Sequence, residues 1–233
     1  MGPKDIVRRA IACGLDIIAI TDHNSAENVK AVKEMAHGEN LLVIPGMEVY
    51  TREEAHMICL FETIESVTQF QNIIYDHLAE GENDPDWYGP QYIVDGAEHI
   101  LGENPRLLGM PTNLHVQEVA DFVIDLDGII FPAHIDRKAN SLLHALGFIP
   151  TDLPFYALEI ARPYEEAVQL HRFLKNSSLS IIRSSDAHRI EDIGSKATWY
   201  YMEKPTFAEV KKAIMQQEGR RACLVKEQEA GNE

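Results

Sequence analysis

The sequence predicts an α/β fold in which a mainly parallel sheet curves into a barrel. Three observations carry this expectation. Four short apolar runs, Ile17-Ile18-Ala19-Ile20, Leu42-Val43-Ile44, Ile129-Ile130-Phe131 and Ile181-Ile182, read as strands buried on both faces. Strand and helix patterns alternate along much of the chain at the spacing of βαβ units. Each of the four runs also leads into a side chain able to hold a metal: His23, Glu48, His134, and the pair Asp186 and His188. In barrels of parallel strands the active site gathers at the C-terminal strand ends.

In chain order, Pro3 suits a first helical turn, and Ile6, Val7, Ala10 and Ile11 recur at helical spacing up to Gly14. A strand is expected at 15–21, a helix at 25–37, strands at 41–50 and 57–61, and a helix at 66–79. Residues 80–113 break the rhythm with repeated Gly and Pro, and a short hairpin around Gly96 pairs Tyr92-Ile93-Val94 with His99-Ile100-Leu101. Two readings fit this excursion, a lid over a binding site or a surface insertion. Trp87, Tyr88 and Tyr92 either line such a lid or pack the segment down. Alternation resumes with helices at 116–126, 139–146, 164–175 and 206–217, and strands at 128–133, 156–160, 179–184, 197–202 and 221–225. The polar tail, 226–233, is expected to fray. The whole chain, 1–233, reads as one domain.

Acidic residues number 37 against 21 basic ones, a formal charge of −16. That balance disfavours wrapping nucleic acid, whose phosphates need Lys and Arg, and leaves a nucleotide possible. Three scattered cysteines, Cys13, Cys59 and Cys223, form neither a disulfide framework nor a thiolate zinc site. With no signal-peptide pattern and no apolar run of membrane-spanning length, the expectation is a cytoplasmic protein with no membrane partner.

Asp186-x-His188 is the sharpest local motif, because residues two apart in an extended segment face the same side. His23 follows its strand directly in Thr21-Asp22-His23-Asn24, a stretch that equally suits a helix cap; Asp22 is cast as a supporting partner rather than a ligand. Glu48 lies in an otherwise apolar strand, where an unpaired carboxylate is costly, so a metal or an arginine is expected beside it. His56 opens the next strand and is positioned to face Glu48 across a hairpin. His134 ends Pro132-Ala133-His134. Imidazoles and carboxylates without thiolates suit zinc, manganese or iron. Paired metals clamp the attacking and leaving oxygens in phosphoryl transfer and acidify water, so the constellation points to hydrolysis, with amide or lactone substrates also open. Arg137 and Arg189 stand beside these motifs as phosphate-binding candidates, with Arg52 and Arg162 as weaker ones.

Taken together, Gly14-Leu15-Asp16-x-x-Ala19-Ile20-Thr21-Asp22-His23, Pro45-Gly46-Met47-Glu48, the His56 strand, Pro132-Ala133-His134 and Ser185-Asp186-Ala187-His188 resemble the polymerase and histidinol phosphatase (PHP) family. The resemblance implies a distorted (β/α)7 TIM-like barrel with up to three divalent metal ions. It implies that Glu48 bridges the first two ions, Asp186 holds the first, His56 and His134 the second, and His23 and His188 the third. The implied activity is that of a metal-dependent phosphoesterase acting on a small phosphate ester. The family pattern also opens with a strand carrying His-x-His. Here no His precedes His23 and the chain enters helix at Pro3. The expected barrel therefore lacks its first strand, exposes two strand edges and leaves the first ion only Glu48 and Asp186. Two other function classes stay in view: a truncated or inactive domain that binds metal or a partner, and an amidohydrolase-like enzyme.

Overall fold

The computed structural model describes residues 1–224. The expected frayed tail, and Val225 of the last expected strand, lie outside the described residues. The elements are α1 (Pro3–Ala12), β1 (Ile17–Ile20), α2 (Val29–Met35), β2 (Leu42–Tyr50), β3 (His56–Leu60), α3 (Ile64–Asp76), α4 (Pro85–Tyr88), β4 (Tyr92–Val94) and β5 (Ile100–Glu103). They continue with α5 (Val116–Asp125), β6 (Ile129–Pro132), α6 (Leu142–Leu146), β7 (Ala157–Glu159), α7 (Tyr164–Leu170), β8 (Ser180–Ile182), β9 (Thr198–Tyr201), α8 (Phe207–Ile214) and β10 (Arg221–Leu224). No helix among them is long and apolar enough to cross a membrane.

The protein is a mixed α/β structure, and its sheets are small. One sheet runs β1-β2-β3-β6, and β7-β8, β9-β10 and β4-β5 form two-stranded sheets. None closes on itself. Hydrogen bonds nonetheless carry the arc from one sheet to the next. Ile135 N–H donates to the Glu159 carbonyl beyond β6, and Thr198 Oγ1 both donates to the Arg183 carbonyl and accepts from its N–H beyond β8.

The expectation of a mainly parallel sheet is corrected. Only β1–β2 and β7–β8 pair in parallel, whereas β2–β3, β3–β6, β4–β5 and β9–β10 are antiparallel. The cause lies in connection length. Residues 51–55 are too few for a crossover, so β3 must return alongside β2. Burial on both faces holds for β2, whose Val43–Val49 stretch is buried throughout, and for β6 and β7. It fails for β1, which is the edge strand of its sheet and exposes Ala19.

Helix boundaries differ from the sequence expectation where side chains capture backbone donors. The expected helix at 25–37 starts only at Val29, because Gln71 Oε1 takes the Ala26 N–H and Ser25 Oγ takes the Glu27 N–H. α3 begins earlier than its apolar period suggests, since Thr63 Oγ1 caps the Ser66 N–H. The last expected turn of 164–175 tightens into a 3-10 segment at Arg172–Asn176. The excursion holds the expected hairpin, β4–β5, and adds α4, which Asp84 caps and Pro85 opens. Trp87 and Tyr88 are among the most exposed large side chains, so neither packs the segment down.

The largest apolar cluster joins β2 and β3 to α3 and α5, with the rings of Phe61 and Phe70 5.0 Å apart. Gly46 sits where β2 presses hardest on its neighbours. A Cβ there would lie 2.8 Å from Leu60 Cδ2, 2.8 Å from Thr21 Cγ2 and 3.0 Å from the Cys59 carbonyl oxygen. Gly46→Ala is therefore expected to destabilise the fold by roughly 1–3 kcal/mol, the cost of overpacking. Because Gly46 lies two residues before Glu48, the same change should also weaken cation binding; denaturant unfolding and a metal titration check the two effects.

Candidate metal centre

The parallel pairing of β1 and β2 extends past β1 as a bridge between His23 and Glu48. Glu48 N–H donates to the Asp22 carbonyl at 3.1 Å, and Asn24 N–H donates to the Glu48 carbonyl at 2.9 Å. The backbone thus lays the His23 side chain beside the Glu48 carboxylate. On the other flank, β3 pairs Tyr50 with His56 and Glu48 with Ile58. Glu48 and His56 are diagonal neighbours on one face, and His56 Nδ1 donates to Glu48 Oε1 at 3.0 Å. β6 follows β3, and His134 lies two residues beyond its end with φ +31°, a left-handed turn that is costly for a residue with a Cβ. Its Nε2 stands 3.5 Å from Glu48 Oε1. His23 Nδ1 stands 3.4 Å from Glu48 Oε2.

One carboxylate thus gathers three imidazoles. The Glu48, His56 and His134 side chains are at most 9% exposed, while His23 is 38% exposed and opens the cluster to solvent. Burial pushes the Glu48 carboxyl up, but hydrogen bonds from His134 and His56, with the fields of His56 and His23, outweigh it and hold the group well below the usual carboxylate range. Burial pushes His23 down, with Glu48 opposing. Ligand atoms of His23, Glu48 and His56 all lie within 4.8 Å of one another. His134 Nδ1 is buried with no hydrogen-bond partner among the described residues. That atom points away from Glu48, which His134 faces with Nε2; on the Glu48 side, the mixed nitrogen and oxygen set suits zinc, manganese or iron. These residues fit a divalent cation.

Asp186 and His188 approach from the segment after β8. Asp186 has φ +48°, and its Oδ2 accepts from Arg137 Nη2 at 2.7 Å. His188 Nδ1 lies 3.7 Å from Asp186 Oδ1, and its ring is 6.1 Å from that of His23. Arg137, expected beside a phosphate, instead pairs with an expected ligand. Arg189 is exposed and makes no ion pair among the described residues. Arg52 turns to His115 and Arg162 to Glu166. Asp22 contributes its backbone to the Glu48 bridge, while its side chain hydrogen-bonds no site histidine among the described residues.

Two acidic residues near the centre escaped sequence reasoning. Glu159 ends β7, is buried, and accepts the His134 N–H on Oε2 at 3.1 Å. Its signal, a carboxylate inside an apolar strand, is the one that singled out Glu48. Burial pushes its carboxyl up to about 8; the His134 N–H offsets this in part, and Glu48 and Asp186 reinforce it. Asp136 makes His134-x-Asp136 a mirror of Asp186-x-His188, yet its oxygens are spent on the N–H groups of Ala161 and Arg162, at 2.7 and 2.8 Å.

Glu159→Ala is expected to cost about 1–3 kcal/mol by leaving the His134 N–H unpaired, whereas Glu159→Gln keeps an acceptor there. The raised Glu159 pKa sets a sign. In the unfolded chain the carboxyl ionises near its ordinary value of 4.5, but in the fold it stays neutral to about 8. The metal-free protein therefore loses stability as pH rises between those values. Thermal melts should show Glu159→Gln gaining on the wild type from pH 5 to pH 8.

A family model described as PHP domain matches residues 1–125. No curated protein matches the chain. Among solved structures, the lesion-specific endonuclease EndoQ from Pyrococcus furiosus matches with a TM-score of 0.65 and 19% identity, over 95% of this chain and 53% of that one. An Endonuclease Q complex with a 27-mer duplex bearing an abasic lesion at the active site matches with a TM-score of 0.67 and 18% identity, over the same shares of each chain. A candidate metal-dependent phosphoesterase from Bifidobacterium adolescentis matches with a TM-score of 0.53 and 15% identity, over 81% of this chain and 82% of that one. The chain spans about half the length of the two endonuclease structures. With more than half of its residues under the family model, and a Glu48-centred cluster at the strand ends, the chain belongs to the PHP-domain family.

Proposed function

We propose that the protein is a metal-dependent phosphoesterase, acting in the cytoplasm on a small phosphate ester or a nucleotide. The observation that carries this reading is the ionised Glu48 carboxylate held among His23, His56 and His134. We read the strand arc as a distorted barrel of the PHP type, supported by the position of the site at one end of its strands. His23 and His134 follow β1 and β6, Glu159 ends β7, and Asp186 follows β8.

In this reading Glu48 would hold cations together with His56 and His134, which face its Oε1, and His23, which faces its Oε2. Asp186 and His188 complete the set. A divalent cation supplies, when bound, Lewis acidity toward a phosphoryl oxygen and a water acidified toward neutrality. The chain's own residues do the rest. The buried imidazoles of His56 and His134 restrict solvent around Glu48, Glu159 fixes the His134 backbone, and half-exposed Arg137 is within reach of an entering anion. A guanidinium orients phosphate through paired hydrogen bonds.

Asp186→Ala and His134→Ala are each expected to lower hydrolysis of an aryl phosphate by roughly 100-fold or more, the scale of losing one transition-state electrostatic contact, in samples whose circular dichroism shows them still folded. Chelation should abolish the activity and added manganese or zinc restore it. Full activity in both variants would refute the assignment. A second reading, a nuclease, is favoured by the match to EndoQ over 95% of this chain and opposed by the net charge of −16. Cleavage of a duplex carrying an abasic lesion at a higher kcat/KM than any small ester would decide for it.

A further inference from the structure

Arg137, a candidate for holding phosphate, is paired with Asp186, a candidate for holding a cation. Its Nη2 donates to Asp186 Oδ2 at 2.7 Å, a short charge-assisted bond. Its backbone is pinned on both sides: the N–H donates to the His134 carbonyl at 2.9 Å, and the carbonyl accepts from Ser141 Oγ at 2.8 Å. The side chain, by contrast, is 43% exposed. A fixed backbone with a half-exposed guanidinium gives an arm that can swing without disturbing the His134 turn. Asp186 itself sits in a left-handed conformation, with φ +48°.

We propose that Arg137 is a displaceable occupant of the cation position at Asp186, and that the cation which evicts it delivers the guanidinium to an incoming phosphate. The inference rests on the metal-dependent reading above. Its physical basis is charge. A guanidinium on Asp186 Oδ2 competes with a divalent ion for the charge of the same carboxylate, because two cations held a few ångströms apart repel. Once released, the arm remains anchored three residues from His134, with its planar donors free for an anion. Arginine thus neutralises the partly buried Asp186 carboxylate until a cation takes its place, and then becomes a substrate ligand.

The test uses the full chain stripped of metal and titrated with manganese or zinc against a chromophoric chelator, with no substrate present. Arg137→Gln should tighten cation binding roughly three- to tenfold, the equivalent of a partly exposed ion pair no longer competing. Arg137→Lys, which keeps the charge, should stay closer to the wild type. On an Asp186→Asn background Arg137→Gln should change nothing. In the loaded protein, inorganic phosphate should inhibit Arg137→Gln roughly tenfold more weakly than the wild type. Cation affinity unchanged or weakened in a folded Arg137→Gln would overturn the competition, and unchanged phosphate inhibition would overturn the delivery. A wild-type chain that takes up no cation at all would instead sink the metal-dependent reading on which both rest.

Discussion

The centre depends on an ionised carboxylate kept out of water. Glu48 lies near the C-terminal end of a strand buried on both sides, where its charge would be prohibitive without partners. Everything around it supplies them. The β1–β2 bridge brings His23, the return of β3 brings His56, and the turn after β6 brings His134. A one-residue slip of β3 against β2 would turn His56 to the other face, so strand register and site geometry are a single constraint. The apolar neighbours of Glu48, Met47 and Val49, lock that register by filling the largest core cluster from the opposite face.

The same economy explains where the backbone is strained. Asn24, His134 and Asp186 all adopt positive φ, and each sits where a strand gives way to a site loop. Such conformations persist only where surrounding contacts overdetermine them. For Asn24 those contacts are visible. Its Oδ1 accepts the Tyr50 N–H at 2.9 Å, and its Nδ2 donates to the carbonyls of Leu108 and Met110 at 2.9 and 3.0 Å. The residue after His23 thereby ties the irregular 80–113 segment to the end of β2. That segment is structurally continuous with the centre, as a lid reading requires, while its exposed Trp87 and Tyr88 remain unassigned to any partner.

Much of the centre was legible because metal ligands at strand ends leave a local signature, a polar side chain closing an apolar run. His23, Glu48, His134 and Asp186 were found on that signature. His56 required one further step, that Glu48 and His56 flank a turn too short for anything but a hairpin. Strand direction was misjudged because apolar runs report burial and not orientation; the β3–β6 pairing is antiparallel across an intervening 80–113 segment that has no period of its own. The Arg137–Asp186 pair was invisible for a different reason. Spacing places both residues at the rim, but which oxygen a long side chain takes is decided by tertiary geometry.

Four buried carboxyl groups among the described residues show what distinguishes the centre, because each meets burial differently. Glu209 is bound by the permanent cation Arg220 and accepts the Glu203 N–H, which together hold it down to about 2. Asp136 spends its oxygens on two backbone N–H groups. Glu159 avoids the problem by staying protonated. Glu48 alone of the four stays charged while facing imidazoles. Burial favours the neutral form of His23, and a neutral ring brings no lasting positive charge, so that imidazole compensates Glu48 only weakly when deprotonated. A fold that needed only stability would have put a guanidinium there, as it did at Glu209. Choosing imidazoles surrounds Glu48 with nitrogens that pair with its oxygens here and can give up their protons to a divalent cation, the natural complement of such a set.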